Sequence, residues 1–183
     1  MNPNSFVAFF VLTQVIVFAP GQNAAYAKEM SVAMSARDRN VQVMLEIFRA
    51  LEQRDPNRRS ADEREEALYQ PDAEFHWPPA LPYGGTFRGK DAAIWSAIWN
   101  PLQPTAAERK MDPRVIGADD HQVVILYHQR GVTPSGERFD GEVIGLYDLR
   151  DFKLSRAQMF HFDEAALAQF LKRAARELKQ TKH

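Results

Sequence analysis

The spacing of hydrophobic residues changes from a helical period to strict alternation near Pro113. In the first half, apolar side chains recur every three or four residues, which predicts an amphipathic helix that ends before Asp55–Pro56. The residues that carry this period are Val41, Met44, Leu45, Phe48 and Leu51. In the second half, apolar and polar residues alternate over residues 114–118, 122–131, 138–149 and 153–162, and this pattern predicts four strands.

A capping box delimits a second, short helix. Ser60 is followed three residues later by Glu63, the spacing at which the two side chains cap each other's backbone. The predicted helix carries Leu68 and Tyr69 and ends before Pro71.

Prolines and further capping residues set the other boundaries. Residues 72–77 predict a short strand before Pro78, and Asp91 is expected to cap a third helix that ends at Pro101. Asp163 is expected to cap a final helix, whose apolar stripe is Leu167, Phe170, Leu171, Ala174 and Leu178.

This order of elements predicts an α+β fold, because most helices precede the strands instead of alternating with them. Strands joined by short turns pair antiparallel, so we expect a curved antiparallel sheet that forms a cone-shaped cup covered by three to four helices. Residues 123–126 are apolar on both alternating sets, which indicates a strand covered on both faces. One chain supplies helices for one face, and we therefore predict a homodimer that packs through the outer face of the sheet.

The N-terminus has the layout of a secretory signal. Residues 6–19 are almost entirely apolar, Pro20–Gly21 ends the run, and residues 25–27 read Ala-Tyr-Ala, a small-x-small cleavage site. The run is shorter than the roughly 20 residues of a membrane span, so no stable span is expected in the mature form. We predict a signal peptide over 1–27, a linker over 28–37, one domain over 38–178 and a tail over 179–183. A signal peptide predicts that the protein is exported. Residues 1–5 contain no Lys or Arg, which a signal peptide usually has there, so the alternative is a cytoplasmic protein that starts at an internal Met.

Composition excludes several classes of function. The chain has 23 Lys and Arg against 24 Asp and Glu, without a basic stripe, so it does not resemble a nucleic-acid-binding protein. It has no cysteine, which excludes disulfides, thiolate metal sites and cysteine nucleophiles. It also lacks a Gly-rich phosphate loop, a G-x-S-x-G elbow and a zinc-protease motif.

Three stretches carry a family resemblance: residues 72–77 continuing through 82–92, residues 146–149 followed by Leu154, and residues 159–163 followed by Ala166–Leu167. Through them, the chain from about 37 to 173 resembles the nuclear transport factor 2-like superfamily, and within it the SnoaL-like polyketide cyclases and ketosteroid-isomerase-related proteins. Two positions depart from the pattern: Asp151-Phe152-Lys153 replaces a turn that often holds glycine, and His161 stands where tyrosine is common.

The resemblance implies a cup that is open at one end, is lined by apolar side chains and binds a small apolar or carbonyl ligand. It implies no cofactor. Relatives include isomerases, cyclases and hydrolases that act by proton transfer, and also members without catalysis. A non-catalytic carrier, a sensor or a dimerisation module is therefore the alternative function.

Two residues are candidate catalytic bases. His76 ends the first predicted strand, in the neighbourhood where isomerase-like relatives place a carboxylate base, and a neutral imidazole could accept a proton there. Glu142 shares a strand face with Asp140, and the alternation places this face opposite the apolar set. If the Glu142 face instead lined the cup, burial would raise the carboxyl pKa and make it a base.

The candidate ligand-binding residues are large aromatic residues with polar tips, two histidines and one methionine. For the aromatic residues, core packing is the alternative role. The candidates are Trp77, Tyr83, Trp95, Trp99, Tyr127, His128, Tyr147, Met159 and His161. If His76, His128 and His161 converged, they could form a zinc or iron site in a metal-dependent enzyme. No short metal-binding spacing is present, so no metal is predicted.

Overall fold

The alternating stretches form one six-stranded sheet in the computed structural model, which describes residues 34–55 and 67–180. The strands run β2-β1-β6-β5-β4-β3 across the sheet, and the residues from Ser35 onward form one compact unit. Their bounds are β1 Tyr69–Trp77, β2 Gly85–Arg88, β3 Arg114–Ala118, β4 Gln122–Val132, β5 Arg138–Arg150 and β6 Lys153–His161. The four strands predicted in the second half of the chain are confirmed.

Four α-helices accompany the sheet in the described residues: α1 Ala36–Gln53, α2 Ala93–Trp99, α3 Ala106–Arg109 and α4 Glu164–Gln180. Short 3₁₀ helices cover Gly89–Ala92 and Asn100–Leu102. Helix α1 begins inside the predicted linker, because the Ser35 hydroxyl accepts a hydrogen bond from the Asp38 backbone N–H at 3.1 Å. None of the helices in these residues is long and apolar enough to cross a membrane.

The pairing of β1 corrects the predicted C-terminal end of the second helix and the prediction of an all-antiparallel sheet. Tyr69 belongs to β1, because it pairs with Leu154 of β6. Strands β1 and β6 are parallel, while the other neighbours are antiparallel. Strand β2 was not predicted: its residues pair with the end of β1, Phe87 opposite Phe75. The Ser60–Glu63 capping box and the signal peptide lie outside the described residues.

The two predicted aspartate caps have different outcomes. Asp163 accepts a hydrogen bond from the Ala166 backbone N–H at 2.9 Å, which confirms it as the cap of α4. Asp91 does not cap α2, because a 3₁₀ turn precedes that helix and its N-cap residue, Ala92, makes no side-chain hydrogen bond.

The core lies on one face of the sheet, which we call the inner face. Alternate residues of β4 and β5 are buried there, among them Ile125, Tyr127, Val143 and Tyr147. From the helices, Met44, Ile47 and Phe48 of α1 and Leu167, Phe170, Leu171 and Ala174 of α4 join the same cluster. The opposite, outer face of the sheet holds the other alternating set. The apolar periods of the sequence therefore meet on one side of the sheet.

Candidate functional site

Strand register places two polar side chains on the inner face near one end of the sheet. His161, the last residue of β6, pairs with Val143 of β5, which pairs with the inner-face Tyr127 of β4. Gln129 follows two residues after Tyr127, and its partner on β5 is Gly141. Residues two apart on a strand share a face, so Gln129 and His161 both point toward the core.

Trp99 and Tyr83 lie at this same end. The Trp99 ring packs over Gly131 of β4, where an added Cβ would lie 3.0 Å from ring atom Cζ3. The Tyr83 ring centroid lies 6.5 Å from that of Trp99. The loop before β2 holds Tyr83 because Gly84 passes so close to Pro79 that a Cβ would lie 2.8 Å from its Cα. Glycine is therefore required at position 84.

Four buried polar atoms at this end have no hydrogen-bond partner among the described residues. They are Tyr83 Oη, Trp99 Nε1, Gln129 Nε2 and His161 Nε2, and we call these four residues the inner polar set. Buried polar atoms are nearly always hydrogen-bonded. Each buried polar atom without a partner, here called an orphan atom, lowers the stability of the fold by about 1–3 kcal/mol. Trp99 Nε1 and Gln129 Nε2 can only donate, whereas the Tyr83 hydroxyl and the His161 imidazole can donate or accept. The set is therefore suited to contact an oxygen atom with free lone pairs.

The two titratable members of the inner polar set, Tyr83 and His161, are uncharged at neutral pH. Desolvation lowers the pKa of His161 to about 4, so its imidazole is neutral. Burial also raises the pKa of Tyr83 above its ordinary range, an effect that Trp99 partly opposes. Although Trp99 influences the Tyr83 hydroxyl, neither polar atom reaches good hydrogen-bond geometry with a described residue.

Tyr127 and Tyr147 are also buried on the inner face. Desolvation raises the pKa of both hydroxyls. The Phe48 ring meets both tyrosine rings edge-on, with centroids 5.0 Å from Tyr127 and 5.9 Å from Tyr147. The Tyr147 ring covers Gly145, where a Cβ would overlap it. These tyrosines belong to the packed wall beside the inner polar set.

The three other predicted ligand-binding residues on this side of the sheet are aromatic or apolar. Trp77 is buried and packs against Tyr83, with ring centroids 5.7 Å apart. Met159 is buried on β6, opposite Gly145. Trp95 is half-buried beside Trp99, and the Arg54 guanidinium lies 5.1 Å from its ring centroid. Together they give the inner polar set an apolar surround.

His76 lies on the outer face, which corrects its assignment to the cup. Its Nε2 is 3.1 Å from a Glu74 carboxylate oxygen, and its Nδ1 is 3.1 Å from the Thr86 hydroxyl. The Arg156 Nε donates toward the same His76 Nε2 at 3.3 Å. These contacts fix the imidazole in a polar network across β2, β1 and β6. It therefore cannot reach a ligand on the inner face from there.

Glu142 and His128 also lie on the outer face. They pair across β5 and β4, and Glu142 is exposed. The His128 Nδ1 is 2.6 Å from an Asp140 carboxylate oxygen. The buried base considered for Glu142 is therefore not formed, because the strand phase turns this carboxylate toward solvent.

The three histidines considered for a metal site do not converge. His161 lies on the inner face, while His76 and His128 lie on the outer face beside different carboxylates. Across residues 34–55 and 67–180, no group of three His, Asp or Glu side chains could hold a metal ion.

Gln129 is the functional candidate that the sequence reading missed. It stands in the apolar alternating set of β4, after Val123, Ile125 and Tyr127, and is 1% exposed. A lone amide inside an otherwise apolar set was the available signal, because a strand core seldom contains an amide unless it has a partner.

An open cleft of about 460 Å³ lies at the other end of β5, in the surface formed by the turns. Its lining includes Asn40, Asp120, His121 and Phe152. The Asn40 amide donates to the Asp120 carbonyl at 2.9 Å, and an Asp120 carboxylate oxygen accepts from the Arg37 backbone N–H at 3.2 Å. None of the four orphan atoms lines this cleft, so we place the candidate site at the inner polar set.

A family model described as a SnoaL-like domain matches residues 44–157, more than half of the chain. Three solved structures match this chain over nearly all of their own length. TerC co-crystallised with polyporic acid shows 18% identity over 73% of this chain and 98% of its own, with a TM-score of 0.57. Bal32a, from a soil-derived mobile gene cassette, shows 13% identity over 75% and 99%, with a TM-score of 0.57.

A putative polyketide cyclase from Xanthomonas campestris pv. campestris shows 20% identity over 74% of this chain and 98% of its own, with a TM-score of 0.56. At these identities the likeness shows a shared fold. No curated protein sequence matches the chain.

Proposed function

Because the chain belongs to the SnoaL-like domain family, we propose that it binds a small, largely apolar molecule at the inner polar set. The observation that carries this proposal is the presence of four orphan polar atoms at one end of an otherwise apolar, aromatic face. A few placed polar groups within an apolar lining are typical of small-molecule sites. An apolar ligand with one oxygen acceptor would bury its rings among the aromatic side chains and complete hydrogen bonds that the protein lacks.

Proton transfer is the second candidate function, and His161 is the residue that favours it. Its imidazole is neutral at pH 7 and its Nε2 has no partner within the described chain. A neutral imidazole with an available nitrogen can accept a proton from a bound ligand, although the burial that keeps it neutral also makes it a weaker base. We therefore assign the role of base, in any isomerase, cyclase or hydrolase activity, to His161 instead of His76 or Glu142.

The binding proposal is tested with a neutral aromatic ketone, 2-acetonaphthone, by isothermal titration and by quenching of tryptophan fluorescence. The wild-type chain is expected to bind the ketone, and Gln129→Leu is expected to weaken binding about tenfold, because it removes one hydrogen bond to the ligand. The matched control is Gln122→Leu, which makes the same change on the outer face of the same strand. Equal affinities of the two variants would contradict the proposal.

We also propose that a second copy of the chain covers the outer face. The middle of this face is apolar, with half-buried Val124, Leu126, Ile144 and Leu146, and with Phe160 48% exposed opposite Ile144. All the described core-forming helix residues lie on the inner side. An exposed apolar centre of this kind is typical of a protein interface.

The charges beside this apolar centre favour a copy of the same chain as its partner. On one flank, Glu74 with Arg88 and Asp148 with Arg156 form ion pairs. On the other flank, Arg130 bridges Asp140 and Asp112, and Lys110 pairs with Asp112. The charges named on each flank are held in pairs of opposite sign, which reduces the repulsion when two copies of the face meet.

Sedimentation equilibrium at micromolar concentration tests the dimer. The wild-type chain is expected to be dimeric, and Leu146→Asp is expected to be monomeric, because it places a charge at the apolar centre. Lys172→Asp, on the exposed side of α4, introduces the same carboxylate away from this face and is expected to remain dimeric. A monomeric wild-type chain would refute the dimer.

Export is a further proposal, supported by the apolar run and the small-x-small site of residues 6–27. Intact-mass measurement of the protein recovered from the exported fraction is expected to give a chain that begins at Lys28. Recovery of the chain only from the cytoplasm, with its first residues intact, would overturn it.

A further inference from the structure

The cleft at the turn end of the sheet is built from three segments that are far apart in the chain. The start of α1 contributes Asn40, the β3–β4 turn contributes Asp120 and His121, and the β5–β6 turn contributes residues 149–152. The two turns are joined by the backbone, since the Leu149 N–H donates to the His121 carbonyl at 2.8 Å. The volume of about 460 Å³ is that of a small-molecule site.

Asn40 lines the cleft although only 2% of the residue is exposed. Its amide nitrogen donates to the Asp120 carbonyl at 2.9 Å, which fixes the orientation of the amide. No described residue donates to its amide oxygen, and this oxygen is not one of the orphan atoms that are closed off from solvent. Because a buried amide normally uses both of its ends, the amide oxygen is an acceptor left open to a ligand in the cleft.

The N-terminus of α1 does not make the cleft an anion site, because its backbone N–H groups already have acceptors. The Arg37 N–H donates to an Asp120 carboxylate oxygen at 3.2 Å. The Asp38 N–H donates to the Ser35 hydroxyl at 3.1 Å, and the Arg39 N–H donates to the Ser35 carbonyl at 3.0 Å. These are three of the four N–H groups that a helix leaves free at its start. An anion could bind them only by displacing bonds that the protein makes.

The charges that line the cleft favour a cation. Asp120 and Asp151 contribute carboxylates, and Arg150 contributes a guanidinium. This guanidinium is directed to a carboxylate outside the lining, because it donates to an Asp72 oxygen at 2.9 Å. Together with the open amide oxygen of α1, the lining residues therefore present more acceptors than donors and an excess of negative charge.

The β5–β6 turn gives the cleft an apolar wall. Leu149 is buried and Phe152 is half-buried, and both line the cleft. The Arg39 guanidinium lies 3.9 Å from the Phe152 ring centroid, so this ring already attracts one cation. Asp151 and Phe152 keep positive φ angles of 52° and 57°, a strained conformation that is found most often at functional sites.

We propose that this cleft binds an organic cation, in the form of a primary ammonium group on a small apolar or aromatic body. The ammonium group donates to the Asn40 amide oxygen and to the adjacent Asp120 carboxylate, because it has three N–H donors and no acceptor. The Asp151 carboxylate adds to the negative potential, and the apolar body lies against Leu149 and Phe152. The site is separate from the inner polar set, so the proposal goes beyond the proposed function and does not depend on it.

Three phenyl compounds of similar length test the proposal with the full chain at pH 7, by two-dimensional ¹⁵N–¹H NMR. They are 2-phenylethylamine, 2-phenylethanol and 3-phenylpropionate. The amine is expected to bind and to shift the amide signals of Asn40, Asp120 and Phe152. The alcohol is expected to bind about tenfold more weakly, because its hydrogen bonds to carboxylates lack the opposite charge. The propionate is expected to bind more weakly still, because it meets carboxylates of its own sign.

A single substitution with a matched control tests the role of the charge. Asp120→Asn keeps a side-chain oxygen for the Arg37 N–H but removes the negative charge, and it is expected to weaken amine binding about tenfold. Asp119→Asn makes the same change at the neighbouring carboxylate, which does not line the cleft, and is expected to leave the affinity nearly unchanged. An equal loss in both variants would show general attraction by acidic residues and would overturn the site.

The remaining outcomes distinguish this site from the inner polar set. Binding of the alcohol as tightly as the amine overturns cation selection. Amine-induced shifts confined to Gln129, Trp99 and His161 overturn the cleft as the binding site, while the proposed function stands. No shift at millimolar amine overturns the proposal. Binding of 2-acetonaphthone at the inner polar set is measured separately, so each proposal can fail without the other.

Discussion

Histidines on the two faces of the sheet have opposite environments. On the inner face, His161 is held neutral with an unpartnered Nε2. On the outer face, His76 and His128 each lie within 3.1 Å of a carboxylate oxygen. The difference shows that the side of the strand decides what a histidine can do here. The inner one is available to a ligand, and the outer ones are committed to ion-pair networks.

The same contrast holds for glutamine along β4. Gln122 on the outer face donates to an Asp148 carboxylate oxygen at 2.7 Å. Gln129 on the inner face leaves its Nε2 without a partner in the described structure. The inner-face amide therefore has an energetic cost that the outer-face amide does not have, and it is available to a partner from outside the chain.

The largest expected effect is a loss of stability when a side chain is enlarged on the packed inner face and not on the exposed outer face. Gly145→Val should destabilise the fold by about 3 kcal/mol, because the new side chain overlaps the Tyr147 ring. The control is Glu142→Val, an exposed outer-face position of the same strand, expected to change stability by about 0.5 kcal/mol or less. Urea denaturation measures both. Similar destabilisation by the two variants would contradict the assignment of the faces.

The next effect is a pH dependence that the inner histidine, His161, produces. The folded-state pKa of His161 is about 4, below the ordinary value of 6.5. The unfolded chain therefore binds a proton more readily, and stability should fall as the pH drops from about 6.5 toward 4, by roughly 3 kcal/mol in all. His161→Phe should remove this part of the pH dependence, measured by urea denaturation at each pH. An unchanged slope in the variant would assign the dependence to other groups.

A smaller effect distinguishes the two glutamines of β4. Gln129→Leu should raise the free energy of unfolding of the ligand-free chain by about 1–2 kcal/mol, because it removes an unsatisfied buried polar group. Gln122→Leu should lower it or leave it unchanged, since Gln122 has a partner. Thermal and urea unfolding without ligand provide the comparison. A loss of stability in Gln129→Leu would show that its amide is satisfied.

The smallest effect concerns the β5–β6 turn. Asp151 and Phe152 both have positive φ, at 52° and 57°, a conformation that strains a bulky residue and suits Asn-Gly. The Arg39 guanidinium, 3.9 Å from the Phe152 ring centroid, offsets part of this strain. The double substitution Asp151→Asn, Phe152→Gly should therefore stabilise the fold by about 1 kcal/mol, seen in urea unfolding. A loss of stability would show that the Arg39 contact outweighs the strain.

Much of the fold could be predicted from the sequence because alternation and helical spacing are local properties. The period of residues 122–149 defined β4 and β5 and already placed Glu142 opposite the apolar set. Strand β2 has four residues, too few to show a period, and it exists because it pairs with β1. The parallel pairing of β1 with β6 joins residues far apart in the chain, which no local pattern contains.

The candidate site was predictable only in part. Tyr83, Trp99 and His161 were selected by residue type, and the structure brings them to one end of the inner face. His76 was selected by its position in the chain, but the phase of β1 turns it to the other face. Gln129 was overlooked because its missing partner becomes visible only once the surrounding strands and helices are assembled.

The sequence alone determined the elements, the apolar sets and the family resemblance, since these depend on residues close together in the chain. Tertiary structure decided which face became the interior, which histidine has no hydrogen-bond partner in the described residues, and which four buried polar atoms are left unpaired. These properties depend on contacts between distant segments. A polar side chain is left without a hydrogen-bond partner only when the surrounding segments exclude water and offer no donor or acceptor of their own.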